Sequence, residues 1–166
     1  MNNSKFFFQT KFLNFVLAMV LILTIGFIGH SQPIVGMLVN AVLVYTTLRI
    51  GLSSSIFIGL VPSILALSMG LILPSMVFMI PFIMFANALF VSIFSFVKKY
   101  NDFLGVFVGS LFKFVFLYFI SSYFLSRMSF GNIENLISYT FGFLQFATAF
   151  FGGSLGIIIY RIIHKS

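Results

Sequence analysis

Residues 103–125 read FLGVFVGSLFKFVFLYFISSYFL, with Lys113 as the one charge in the stretch. Apolar side chains fall on every side of a helical wheel, so there is no solvent-facing stripe of the kind a surface helix shows. Nor do polar and apolar residues alternate with period two, as a membrane-spanning strand requires. A segment apolar all round and longer than the roughly 20 residues needed to cross hydrocarbon reads as a transmembrane helix.

The same texture extends in both directions. The 166 residues are 61% hydrophobic, 19% aromatic and 7% charged. Soluble domains carry about 25% charged residues, so this chain cannot cover a water-facing surface. Low charge and high apolar content also exclude intrinsic disorder. There is no cysteine, hence no disulfide framework, thiolate metal site or covalent haem attachment. The chain reads as an all-α integral membrane protein, one domain over residues 1–166, with no internal repeat.

Six spans are expected, at about Lys11–Gly29, Pro33–Ile50, Leu52–Leu71, Met76–Val97, Phe103–Leu125 and Tyr139–Ile163. The separators are polar or helix-breaking: His30-Ser31-Gln32-Pro33, Arg49-Ile50-Gly51, Gly70 to Pro74, the run Lys98 to Asp102, and a loop from Arg127 to Asn135. Lys5, Lys11, Arg49, Lys98, Lys99, Arg161 and Lys165 then share one side, with Arg127 opposite. The positive-inside rule puts that side, and both termini, in the cytoplasm. The first apolar run is long for a signal peptide and Gly29-His30-Ser31 is a poor cleavage site, so helix one is expected to be retained. The net charge of +7 is topology signal and attraction to anionic headgroups, not a nucleic-acid footprint.

Both acids, Asp102 and Glu134, are expected in loops, leaving no carboxylate inside a span to couple protons or sodium. No GxxxxGK[ST] phosphate loop and no HExxH motif occurs. His30 and His164 fall on opposite sides and cannot share a metal. No catalytic set, metal site or cofactor is expected, and the chain is not read as an enzyme.

The polar residues inside spans are the informative ones. Lys113 lies about 15 Å into its helix, at 1.5 Å per residue. A lysine there costs roughly 2.5–3.5 kcal/mol on insertion scales, and it is too deep to snorkel. It is either satisfied by protein carbonyls or serves as the cation of a binding site. Asn40, Asn87 and Gln145 lie at related depths in the outer half of three other helices, and Gln32 and His30 in the first outer loop stand where they would cap a cavity between them. Each amide alone is ordinarily interhelical glue. Pro62 and Pro81 are expected to interrupt helices three and four. Gly105-xxx-Gly109 and Gly152-xxx-Gly156 permit close helix approach.

This arrangement resembles the substrate-binding S components of energy-coupling-factor (ECF) transporters, small basic six-helix bacterial membrane proteins. The resemblance rests on Gln32-Pro33-Ile34-Val35-Gly36 followed by Val39-Asn40-Ala41, on Gly59-Leu60-Val61-Pro62-Ser63, on Met79-Ile80-Pro81-Phe82-Ile83-Met84 with Asn87, and on Lys113-Phe114-Val115-Phe116-Leu117-Tyr118. It implies a protein of the bacterial plasma membrane that captures a vitamin or similar micronutrient from outside. A transmembrane T component and two cytoplasmic ATPases would supply the energy. It also implies a contact with the T component through small residues of helix one, where Ala18, Ile22 and Gly26 stand at four-residue intervals and Ile22 departs from the small-residue pattern. Two other readings compete: a self-contained channel or facilitator, and a non-transporting subunit of a larger membrane complex.

Overall fold

The computed structural model describes residues 3–28, 31–68, 70, 74–127 and 134–164. Among these there are helices and no strand. They are α1 (Asn3–Ile28), α2 (Gln32–Arg49), α3 (Leu52–Ser68), a 3₁₀ segment (Pro74–Met79), α4 (Ile80–Val97), α5 (Asp102–Arg127), α6 (Glu134–Phe141) and α7 (Phe143–Ile163). Three stretches are long and apolar enough to cross a membrane: Met76–Val97, Asp102–Leu125 and Glu134–Ile163. Residues 10–26 and 52–68 form shorter apolar helices. With 26 residues α5 is about 39 Å long, enough to exceed the hydrocarbon thickness of roughly 30 Å.

The most internal helix is α2, whose Leu43, Val44, Thr46 and Thr47 are all buried. It can hold Asn40 and two threonines because neighbours, not lipid, surround it. Glycines let those neighbours approach. A Cβ on Gly152 would run into the Met37 carbonyl and one on Gly156 into the Ala41 carbonyl, so α7 lies directly on the α2 backbone. On α5, a Cβ at Gly109 would come within 3.0 Å of the Phe90 carbonyl, and one at Gly105 within 3.2 Å of the Phe94 carbonyl. The two glycine pairs thus seat α7 on α2 and α5 on α4.

Two apolar clusters result. One joins Leu43, Val44, Ile58, Phe90, Phe94 and Ile157 across the middle of the bundle. The other joins Met76, Met79, Ala86, Leu117, Ile137 and Phe141 around α4, α5 and α6. Large apolar side chains left facing outward, such as Phe12, Leu17, Phe57, Phe96, Phe119 and Ile162, suit a lipid surround.

The cation-bearing ends of the helices meet. Lys98 Nζ donates to the Thr47 carbonyl at 3.3 Å, tying α4 to α2, and burial pushes its amine below the ordinary lysine range while Asp102 opposes that shift. Arg161 pairs with Asp102 at 2.8 Å, tying α7 to α5. Lys11 lines a groove with Ile50, Gly51 and Ser53 at the α2–α3 turn, where Gly51 takes φ +125°.

Several expectations are corrected. Asp102 and Glu134 open α5 and α6, not loops, since an acid in a first turn suits the helix dipole. The final segment starts at Glu134, ahead of Tyr139, and is broken at Gly142, where a Cβ would collide with the Ser138 carbonyl. Pro81 lies in the first turn of α4, where its missing N–H costs nothing, and does not interrupt that helix; Pro62 does lie inside α3. Ala18, Ile22 and Gly26 turn inward: Ala18 and Ile22 are in the core and Gly26 packs on Leu65. In this structure that stripe packs internally. The outward face of α1 carries Phe12, Leu13, Val16, Leu17, Val20 and Leu21 instead.

Candidate functional site

Three of the polar residues expected inside spans converge. Lys113 Nζ donates to Asn40 Oδ1 at 2.9 Å and to Asn87 Oδ1 at 2.8 Å. It also lies 5.6 Å from the centroid of the Phe90 ring, within cation–π range. Lys113 is 2% exposed, Asn40 1% and Asn87 3%, so the set is fully enclosed by protein.

Each member stands on a different helix, α2, α4 or α5. Asn40 Nδ2 donates back to the Gly36 carbonyl at 2.7 Å, one turn earlier on α2. Asn87 Nδ2 donates across to the Gly59 carbonyl of α3 at 2.9 Å. A Cβ on Gly59 would stand 3.4 Å from Asn87 Cβ, so the two helices lie in close contact at this point. Lysine has only donors, so both amide oxygens must face it, and both NH₂ groups must point away. The chemistry of one residue therefore fixes the orientation of the other two.

Above this cluster lies a cavity of about 80 Å³. Its polar wall comprises Lys113, Asn40, Asn87, Gln32, Gln145 and Ser63, and Thr148 also lines it. Val35, Val39, Ile83 and Leu144 supply apolar wall. A water needs roughly 10–15 Å³ of such space, so the cavity holds several small atoms' worth of volume. That is well below the 300–1,000 Å³ of drug-sized ligand pockets. Toward the cation-bearing end, Phe90, Phe94 and Leu43 are fully buried and close the floor.

Gln32 and Gln145 thus share the cavity with the cluster but do not touch Lys113; Gln145 Nε2 donates to the Thr140 carbonyl at 3.3 Å. His30 lies outside the described residues. Three contributors were not singled out from the sequence. Phe90 was one of 26 phenylalanines. Thr148 donates into its own helix at Leu144. Ser63 is 3% exposed and its Oγ has no hydrogen-bond partner. The signal for Ser63 was its neighbour Pro62, which also lines the cavity and has no N–H to return to the Ile58 carbonyl one turn back.

No family model, curated protein or solved structure matches this chain. The buried lysine, its two amide partners and the cavity beside them define a membrane-type helical bundle with an internal polar site.

Proposed function

We propose that this chain is the membrane-embedded capture subunit of a small-molecule importer, an S component of the energy-coupling-factor type. It has six spans and both termini on the cytoplasmic side of a bacterial plasma membrane. The carrying observation is the cavity that ends on Lys113, because a membrane-buried cation beside open volume is a recognition element by default. The gathering of Lys11, Arg49, Lys98 and Arg161 at the closed end supports a cytoplasmic floor and an outward-facing cavity. The closed floor of Phe90, Phe94 and Leu43 favours capture over a channel. Energy would come from a T component and two ATPases, since the chain carries no phosphate loop. Their ligand is a vitamin or related micronutrient, and the small cavity requires that the bundle widen to admit anything of vitamin size.

One observation favours a second reading. Lys113 already has two protein partners, as a lysine of purely architectural value in a larger membrane complex would. Native mass spectrometry of the chain, purified from its membrane under conditions that preserve complexes, separates the two. Capture predicts a retained small molecule and co-purifying ATPases. The architectural reading predicts neither, and a chain that conducts solute in liposomes by itself would overturn both.

A further inference from the structure

We infer that the cavity selects a short aliphatic monocarboxylate, bound with its carboxylate against Lys113 and its carbon chain along the apolar wall. The inference rests on the capture reading but replaces its vitamin-sized ligand with one that the cavity takes without widening.

It begins with a count of donors and acceptors. Lys113 offers three N–H groups and spends two on Asn40 and Asn87. Those bonds turn the side-chain oxygens of both asparagines toward the lysine and take one of the two lone pairs on each. Each NH₂ has two hydrogens and spends one, on Gly36 or Gly59. The donors left at the deep end are the third ammonium hydrogen and the second hydrogens of the two amides, against one remaining lone pair on each amide oxygen. Ser63 adds a buried hydroxyl with no partner to the same wall. The other polar side chains of the wall, Gln32, Gln145 and Thr148, are neutral.

Charge points the same way. No acid lines the cavity, and the two acids of the chain stand at the helix starts Asp102 and Glu134. The one side chain of the wall able to carry a charge is thus a potential cation with no counter-charge beside it, and an anionic ligand would supply one. Size and wall chemistry narrow the class. About 80 Å³ of space corresponds to roughly five to eight water-sized positions. Val35, Val39, Ile83 and Leu144 offer nothing to a second charge. A chain of three to five carbons ending in one carboxylate matches both limits.

The test uses the full chain in lipid nanodiscs, with calorimetry and thermal shift at constant ionic strength. Sodium propionate, butyrate and valerate are compared with propionamide, butyramide and valeramide, and with sodium nitrate as a charge-only control. The expected result is saturable binding of the carboxylates at least tenfold tighter than their amides, with nitrate weaker than butyrate. Ser63→Ala, a change too small to threaten the fold, should weaken butyrate several-fold, and Lys113→Met should abolish it. Equal affinity for amide and acid would mean a neutral lysine and would overturn the inference, as would nitrate binding as tightly as butyrate. Absence of carboxylate binding to the unmodified chain would also overturn it. In that case a small molecule retained in native mass spectrometry would leave the capture reading intact.

Discussion

The two halves of the bundle are built differently. At the cation-bearing half, α2, α4, α5 and α7 run without interruption to their ends and are joined there by Lys98 to Thr47 and Arg161 to Asp102. Gly105 and Gly109 bring α5 onto α4 there, Gly152 and Gly156 bring α7 onto α2 at the level of Asn40 and Ala41, and Phe90 and Phe94 fill what remains. In the opposite half the helices break: Pro62 sits inside α3, the 3₁₀ segment Pro74–Met79 leads into α4, and Gly142 separates α6 from α7. The cavity lies in that half, between the two apolar clusters. Unbroken helices with small residues pack without voids. Broken helices leave backbone groups and volume that only a protein-lined cavity tolerates in a membrane. Lys113 stands at the border, with Phe90 beneath it and the cavity beside it.

The largest expected effect lies on the α2–α7 seam at the level of Asn40. Gly152→Leu places a branched side chain on the Met37 carbonyl and Asn40, so α7 must leave α2. A cost of about 3 kcal/mol or more is expected, at the top of the overpacking range. Loss of the folded, monodisperse species in detergent would show it; an unchanged melting temperature would mean the halves are not distinguished by packing. Next is Lys113→Met, which leaves Asn40 Oδ1 and Asn87 Oδ1 without their donor. Orphaned buried acceptors cost about 1–3 kcal/mol, read as a lower melting temperature together with loss of any retained ligand. Adding Asn87→Leu should not restore stability, because Asn87 also bridges to Gly59.

Pro62→Ala acts in the broken half with the opposite sign. It returns a donor to the Ile58 carbonyl and should raise stability by about 1 kcal/mol, a fraction of the roughly 3 kcal/mol penalty of an interior proline, because α3 already accommodates the ring. Ligand binding should weaken at the same time, since Pro62 lines the cavity. Smallest is Asp102→Asn. The Arg161 side chain is 53% exposed and that of Asp102 26%, so solvent screening limits the loss to about 0.5 kcal/mol or less. A larger loss would mean that the charged end, and not glycine packing, holds that half together.

Much of this contrast was legible before folding. The helix positions followed from apolar run length and from turn residues, because a backbone in lipid has few ways to satisfy its hydrogen bonds. Lys113 stood out because a charge at that depth is costly, and Asn40 and Asn87 because amides need partners there. Their convergence was not legible: the rotation of each helix about its axis depends on which neighbours it meets. The same reason applies to α1. Ala18, Ile22 and Gly26 form a face by spacing, but spacing does not say whether that face meets another protein or α2 and α3. Pro81 shows the limit for boundaries, since a proline breaks a helix from within and starts one from its first turn.

By itself, then, the sequence determined the medium, the helical class and the identity of the one deeply placed charge, because each follows from composition and from one-dimensional spacing. Only the tertiary structure decided that this charge is solvated by two asparagines, that Ser63 and Thr148 join the wall, and that the floor is closed by Phe90. Those facts depend on helices far apart in the chain meeting at particular rotations, and a hydrogen bond such as Lys113 to Asn40 spans 73 residues.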